Sequence, residues 1–343
     1  MSKKFGVGIV GIGMVAPTHA RALADLADHI EVRSVFARDT DKCAKFAKEY
    51  DLPVARSIDE MCKDPELDAA ILLTPPNARA ELVEKFANAG KHLLLEKPVE
   101  RTSVAAEAIV ETCRRAQVTL GIVFQFRFRA TSQKLKDLLD EGSLGPISSV
   151  NLSIPWWRPQ SYYDEPGRGT LARDGGGVLI SQAIHGLDLM QYLVGPVTEV
   201  QSMAGTSDQH AMETEDFVAG GLKFANGALG AFMATTASYP GKPEVLVLNC
   251  RHATAQLASG LLTIEWLDGR EETHGEDLGT GGGADPMAFP HKWHADNIDD
   301  FVDAIKTGRP PAIPGSEALR NHYLIEALLH SAQTGAVATV KQG

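Results

Sequence analysis

The sequence predicts a two-part chain: an α/β domain on a parallel sheet, then a mainly antiparallel α+β domain. Three observations carry this. The first third alternates short, wholly apolar runs with helical patterns. Strands without polar alternation are buried on both faces, the mark of a parallel sheet covered by helices on both sides. A glycine-rich turn, Gly11-Ile-Gly13-Met14-Val15-Ala16, joins the first apolar run to the first helical pattern. After Phe124 the rhythm changes, and strand-like runs follow one another closely.

Taken in order, Val7–Val10, Glu31–Ala37, Ala69–Leu73, His92–Leu95 and Thr119–Phe124 read as strands. Thr18–Ala27, Asp41–Tyr50, Ala78–Ala89 and Ser103–Ala116 read as the helices between them. Lys3 and Lys4 before Phe5–Val15 superficially match the charged and apolar regions of a signal peptide. Glycines at 6, 8, 11 and 13 would weaken such a helix and instead suit a buried strand entering a tight turn. A helix over Thr131–Asp140 stops at Gly142-Ser-Leu-Gly-Pro146. Phe217–Phe224, Ala228–Thr235 and Glu244–Leu248 read as strands, with Asn226-Gly227 a hairpin turn between the first two. Helices near Asp296–Lys306 and Glu317–Ala332 close the chain. The expected domains are 1–124 and 125–343, with a hinge near 122–128 and the last helices packed back near the first domain.

Composition narrows the function. The 343 residues hold 33 Lys plus Arg against 44 Asp plus Glu, a net charge of −11. An acidic chain without a basic block is a poor nucleic-acid binder. No run of 18 apolar residues exists, so no membrane span is expected. The cysteines at 43, 62, 113 and 250 are scattered and without Cys-x-x-Cys spacing, which suggests neither a disulfide framework nor a zinc site. A reducing compartment, the cytoplasm, fits best.

The glycine turn has the spacing of a dinucleotide phosphate loop. Gly11 permits the tight turn, Gly13 lets backbone approach a pyrophosphate, and the small Ala16 allows close helix–strand packing. An NAD site favours an acid at the end of the second strand. Here Ala37 holds that place and Arg38 follows, a pair suited to a 2′-phosphate, with Asp39 next in line. The cofactor expectation is therefore NADP or NAD, leaning to NADP.

Glu96-Lys97-Pro98 follows the expected fourth strand, and Asp174-Gly-Gly-Gly177 precedes Ser181-Gln182-Ala-Ile-His185-Gly-Leu-Asp188. With the glycine loop, Thr74-Pro75-Pro76-Asn77, Ala89-Gly-Lys-His92 and Ser331-Ala-Gln-Thr-Gly335, this ordered set resembles the Gfo/Idh/MocA family of glucose-fructose oxidoreductase and inositol dehydrogenase. The likeness implies an N-terminal Rossmann domain and a C-terminal domain with a large open sheet, through which a homodimer or homotetramer forms. It implies a nicotinamide cofactor at the carboxyl ends of the parallel strands, touching Met14, Val15, Thr74, Pro75, Asn77, Glu96 and Lys97. It implies a sugar, sugar derivative or cyclic polyol as substrate, between the two domains. Two positions depart from the family pattern. Ser181 stands where Asp is frequent, closest to a branch with Asn-Gln-x-x-His that includes enzymes oxidising C3 of nucleotide-linked sugars. Arg79 stands where many members carry His, a cation expected to alter charge near the nicotinamide.

Oxidising a secondary alcohol requires a base and something to stabilise the developing alkoxide. His185 is the natural base, with an unperturbed pKa of about 6.5. Lys97 can donate to the substrate oxygen. On an α-helix Ser181, His185 and Asp188 share a face, so Ser181 is expected to hydrogen-bond the substrate. Asp188 either orients the imidazole or makes a buried helix-to-sheet hydrogen bond, the reading preferred here. Residues 155–173 concentrate Trp157, Arg158, Tyr162, Tyr163, Arg168 and Arg173. They form either a pocket wall, with Trp157, Arg158, Tyr163 and Arg168 toward substrate, or a loop tucked onto the sheet or a subunit contact, and Gln182 beside Ser181 is expected at the substrate as well. His274, His291 and His294 with Asp285 fix no third ligand by spacing, so no metal is expected. His294 is expected to serve the substrate cleft or cap its helix. Two other functions compete: an NADP-dependent dihydrodiol-type dehydrogenase, and a non-catalytic regulator that senses dinucleotide on the same fold. Loss of the lysine or histidine would mark the regulator, and both are present.

Overall fold

A computed structural model describes residues 3–277 and 287–343 and divides the chain into two contact units, Met1–Gln125 with His291–Leu319, and Phe126–Pro290 with Arg320–Gly343. The first unit runs β1 (Phe5–Val10), α1 (Ala16–Asp25), β2 (Ile30–Phe36), α2 (Thr40–Tyr50), α3 (Ile58–Lys63), β3 (Ala69–Leu72), α4 (Ala80–Asn88), β4 (His92–Glu96), α5 (Ser103–Arg115) and β5 (Leu120–Val123). The strands pair in the order β2-β1-β3-β4-β5, every neighbour parallel. The order reverses at β1, between β2 and β3, which is where an open α/β sheet binds ligands.

Local chemistry sets the helix starts. Asp39 accepts the Lys42 N–H to cap α2, Ser57 caps α3 through Glu60 N–H, and Thr102 caps α5 through Ala105 N–H. The six-residue α3 is too short and too polar to show a hydrophobic period, so the sequence reading passed over it. Gly6 lies where a Cβ would meet the Glu66 carbonyl oxygen at 1.8 Å, so no other residue fits there without moving backbone. Central strands and helices share one core that includes Ile9, Ile71, Leu94, Val123, Ile298 and Phe301.

The second unit holds α6 (Ala130–Asp140), β6 (Ile147–Pro155), α7 (Gln160–Tyr163), a π turn (Leu179–Ala183), α8 (Ile184–Val194), β7 (Val197–Gly205), β8 (Phe217–Phe224), β9 (Leu229–Thr235), β10 (Val245–Cys250), β11 (Ala253–Ala258), β12 (Leu261–Trp266) and β13 (Glu271–Gly275). Helix α9 (Lys292–Thr307) belongs to the first unit; α10 (Gly315–Thr334) counts with the second from Arg320 onward, as does β14 (Ala338–Thr339). The sheet order is β13-β12-β11-β10-β6-β9-β8-β7-β14. Its pairs are antiparallel except β6 with β9. The hairpin at Asn226-Gly227 joins β8 to β9 as the sequence predicts.

Burial alternates along these strands. Val150, Leu152, Ile154, Val218, Leu222, Phe232, Leu246 and Leu248 are buried on one face. On the other, Met203, Phe217 and Leu229 are exposed. Alternation of this kind leaves a sheet covered on one side only.

Candidate active site

The glycine turn has the geometry a dinucleotide pyrophosphate requires. Gly11 sits at φ +99°, donates its N–H to the Phe36 carbonyl at 2.8 Å, and would set a Cβ 3.1 Å from Leu73 and Thr74 backbone atoms. At Gly13 the nearest such atom, the Leu73 oxygen, is 4.0 Å away, so that side of the turn is open. Helix α1 starts at Ala16 with proline in its first turn and no side chain capping its N–H groups. The Ala16, Thr18 and His19 N–H groups are bonded to the Gly13 and Val15 carbonyls, so what this end offers an anion is the positive end of the helix dipole and the turn before it. Met14 is exposed and Val15 half-buried. At the end of β2, Ala37 is half-buried and Arg38 exposed, while the Asp39 carboxylate is engaged by Lys42 N–H at 3.0 Å.

Two further loops meet at the ends of β3 and β4. Thr74-Pro75 leads into a short 3-10 turn, Pro76–Ala78, which carries Asn77. The next residue, Arg79, is fully buried. Its Nε and Nη2 donate to the Thr74 carbonyl at 3.0 and 2.8 Å, and Nη1 donates to the carbonyls of Glu96 and Pro98 and, at 3.5 Å, of Val99. Burial pushes its pKa down to about 10 against the pull of Glu96 and Glu100, so it stays charged at neutral pH. The sequence reading expected this cation to act on charge near the nicotinamide. Its donors are committed to backbone on both sides of Lys97, which is itself half-buried.

The Glu96 side chain, a cofactor contact in what the resemblance implies, is buried beside two histidines. His19 Nε2 of α1 lies 2.7 Å from Glu96 Oε1 and His294 Nε2 of α9 lies 3.6 Å from the same oxygen, all three side chains buried. Burial alone would raise the Glu96 pKa, but hydrogen bonding and charge from His19 and His294 hold it well below the ordinary carboxylate range. His294 neither caps its helix nor opens on a cleft: α9 begins at Lys292, and His294 lies on its buried face. Burial lowers its pKa, with the Glu96 hydrogen bond opposing. The ligating atoms of His19, Glu96 and His294 lie within 4.8 Å of one another, a grouping that spacing did not reveal. Tetrahedral zinc ligands stand roughly 3.3 Å apart. The 2.7 Å between His19 and Glu96 is instead a hydrogen bond. Asp285 and the glycines at 279–283 lie outside the described residues. His274 and His291 pair with Glu272 and Asp25.

In the second unit His185 is buried in the first turn of α8, its ring 5.1 Å from that of Phe126. The π turn before it is wider than an α turn, so residues 181–188 do not form the single α face the sequence reading assumed. Asp188 is held by Arg127 through two 2.7 Å bonds and by Asn321 Nδ2 at 2.9 Å, so its partners are a loop and a helix rather than the sheet. Gly177, in the triple-glycine stretch, lies where a Cβ would meet the Glu215 carbonyl oxygen at 1.8 Å. The Glu215 carboxylate accepts the N–H groups of Gly177 and Leu179, each at 3.1 Å, at the start of the π turn. Sequence reasoning missed Glu215, Arg127, Asn321 and His19, whose partners lie far off along the chain.

The aromatic stretch is largely folded onto its own unit. Tyr163 is buried with its hydroxyl 2.6 Å from Thr236 Oγ1, and burial raises its pKa. Arg158 is buried, donates to the Trp157 carbonyl at 2.7 Å, and lies near the rings of Trp156 and Tyr162. His210 ties this stretch to the sheet through Asp216 at 2.7 Å and the Arg158 carbonyl at 2.8 Å. Arg168 and Gln182 meet at the Tyr162 hydroxyl, at 2.8 and 3.3 Å. Trp157 and Ser181 are only half-buried.

Two family models match the chain. Residues 5–124 match the oxidoreductase family with an NAD-binding Rossmann fold, and residues 132–256 match the GFO/IDH/MocA C-terminal domain. The chain is 24% identical over 339 residues to myo-inositol 2-dehydrogenase of Thermotoga maritima, covering 91% of each protein. It is 31% identical over 247 residues to 1-carboxy-3-chloro-3,4-dihydroxycyclohexa-1,5-diene dehydrogenase of Comamonas testosteroni, covering 68% of this chain and 57% of that one. Among solved structures it is similar to the WlbA dehydrogenase of Bordetella pertussis in complex with NADH and UDP-GlcNAcA, with a TM-score of 0.84, 26% identity and 99% and 100% coverage.

The buried Glu96 cluster predicts a pH dependence of stability. Glu96 has a depressed pKa, so its contribution is present above the unfolded value of about 4.3 and is lost only as pH falls through the lower folded value. His294 also has a lowered pKa; the unfolded chain binds its proton more readily below about 6.5, so stability falls as pH drops through that range. Urea midpoints taken from pH 7.5 to 5.5 should fall with pH, and His294→Gln should flatten the slope by up to about 1.4 kcal/mol per pH unit. Superimposable slopes for wild type and variant would show that His294 is not held neutral.

Proposed function

Because the chain belongs to the GFO/IDH/MocA family of NAD(P)-dependent oxidoreductases, we propose that it interconverts a secondary alcohol and a ketone on a sugar, sugar derivative or cyclic polyol. The observation that carries the reading is the uncapped start of α1 behind Gly11 in the same unit as Lys97, whose flanking carbonyls are fixed just past β4. Gly11, Gly13, Met14, Val15, Thr74, Pro75 and Asn77 would hold the dinucleotide. When bound, its nicotinamide supplies the hydride chemistry. Lys97 donates to the reacting oxygen and steadies the alkoxide as it forms. His185 takes the hydroxyl proton in oxidation and returns it in reduction. Ser181, Gln182, Arg168 and the half-buried Trp157 contact the substrate. Tyr163 and Arg158, whose polar ends are engaged within their own unit, shape the wall behind.

A nucleotide-linked sugar is the favoured member of the class. The Ser181-Gln182-x-x-His185 pattern and the likeness to a dehydrogenase in complex with UDP-GlcNAcA support it. A dihydrodiol is the second reading, favoured by the 31% identity to a dihydroxycyclohexadiene dehydrogenase. Cofactor absorbance over a panel of sugars, inositols, sugar acids, UDP-sugars and cis-dihydrodiols separates them. With the best alcohol, Lys97→Ala and His185→Ala should each cut turnover by about 10²–10⁴. The double variant should be scarcely slower than the poorer single one, because groups acting as a unit are non-additive. Independent, multiplying losses would mean that the two residues do not serve one hydroxyl.

We also assign a preference for NADP(H). Arg38 is exposed just past the end of β2, and Asp39, the nearby acid, is also exposed but engaged as a helix cap. Arg38→Ala should weaken NADPH binding, followed by fluorescence, far more than NADH binding. Equal losses would show that Arg38 does not read the 2′-phosphate.

The open sheet face completes the proposal. Met203, Phe217 and Leu229 leave apolar area that self-association would cover. Light scattering should show a dimer or tetramer, and Met203→Lys with Leu229→Lys should shift it toward monomer. A wild-type monomer at micromolar concentration would count against this surface.

A further inference from the structure

Arg79 is a buried cation whose hydrogen-bond partners, among the described residues, are all backbone carbonyls. That is a demanding arrangement, since a buried guanidinium without a carboxylate partner is costly unless its donors are met. The carbonyls come from two places only: Thr74, just after β3, and Glu96, Pro98 and Val99, just after β4. Both places lie at the carboxyl ends of adjacent strands. Nη1 takes the carbonyl preceding Lys97 and the one belonging to the residue after it. The backbone on either flank of Lys97 is therefore fixed by one rigid, planar group, which also holds the Thr74 loop.

We propose that Arg79 is a positioning residue for Lys97: it sets the backbone from which the lysine reaches the reacting oxygen. The proposal rests on the reading of Lys97 given above. A planar fork bridging two loops does what a point charge does not, because a lysine ammonium in its place reaches fewer carbonyls and fixes none of their planes. Arg79 touches no reacting atom. Its effect is felt through the placement of Lys97, and misplacement by about 1 Å costs on the order of 10²-fold in rate.

The test compares Arg79→Met, similar in length but without donors, with Arg79→Lys, Lys97→Ala and the double variant Arg79→Met/Lys97→Ala, all in the full chain. Arg79→Met should lose about 10²-fold in kcat with little change in KM or in NAD(P)H affinity, and Arg79→Lys should fall between it and wild type. The double variant should be no slower than Lys97→Ala alone. Hydrogen exchange read by mass spectrometry should quicken in residues 74–78 and 96–101 of Arg79→Met, with the remainder of the first unit unchanged. A folded Arg79→Met with wild-type kcat, or with unchanged exchange in those two loops, overturns the proposal. So does a double variant slower than Lys97→Ala by the whole Arg79→Met factor, since Arg79 would then act elsewhere. Where Arg79→Met does not fold, wild-type kcat in Arg79→Lys is the overturning result. Full turnover in Lys97→Ala is the separate failure, of the parent reading.

Discussion

The Glu96 carboxylate is the interaction on which the first unit turns. A lone buried carboxylate costs several kcal/mol, so it persists only where its oxygens are met. Here one oxygen takes His19 from α1 and faces His294 from α9, while the carbonyl of the same residue takes Arg79. A single position at the end of β4 therefore ties the helix that follows the glycine turn, the helix added from the far end of the chain, and the loop carrying Lys97. The glycine turn is held independently by Gly11 to Phe36 and by Leu73 to Val10. Dinucleotide site and lysine are thus both referenced to the same parallel strands.

The second unit solves an equivalent problem with other groups. The helix bearing His185 is anchored one turn further on, where Asp188 meets the Arg127 fork and Asn321. Removing one partner from a buried pair of this kind costs about 3–5 kcal/mol, because the other charge is left behind. At the opposite end, Glu215 receives the first N–H groups of the π turn, and Gly177 allows the backbone there to approach within contact. Burial raises the Glu215 pKa, with those N–H groups pulling the other way. In both units the side chain proposed for chemistry is carried on backbone whose position a buried charge determines. Such fixed placement lets a proton or hydride transfer proceed without reordering at the moment of reaction.

What the sequence made legible follows the range over which each signal acts. Strand and helix periods, the Asn226-Gly227 hairpin and the glycine turn depend on neighbours a few residues away, and the elements they predict are present. Helix α3 escaped because six residues do not span two hydrophobic repeats. Chain-distant pairings escaped altogether. Arg129 with Glu244, His19 with Glu96 and His210 with Arg158 join residues far apart in sequence, and composition carries no trace of them. The triple glycine was noticed as a motif, yet its reason lies in the Glu215 backbone 38 residues away. His294 was expected to serve a cleft or to cap its helix because it stands at the start of the helical pattern. Its place on the buried face of α9, beside Ile298 and Phe301, decided otherwise.

Ser181 shows how local geometry changes the meaning of a substitution. On a straight α-helix, serine in place of aspartate one turn before His185 would read as the loss of a carboxylate that orients the imidazole. The π turn over Leu179–Ala183 removes the premise, because the wider turn rotates Ser181 relative to the α8 face on which His185 and Asp188 lie. Nor does Asp188 stand in for the missing acid, since its oxygens are taken by Arg127 and Asn321. Asp188 is the one carboxylate of α8, and with its oxygens so engaged the proposed chemistry asks more of Lys97. That makes the fixing of Lys97 by its flanking carbonyls more consequential in this chain than in one that keeps aspartate at the position of Ser181.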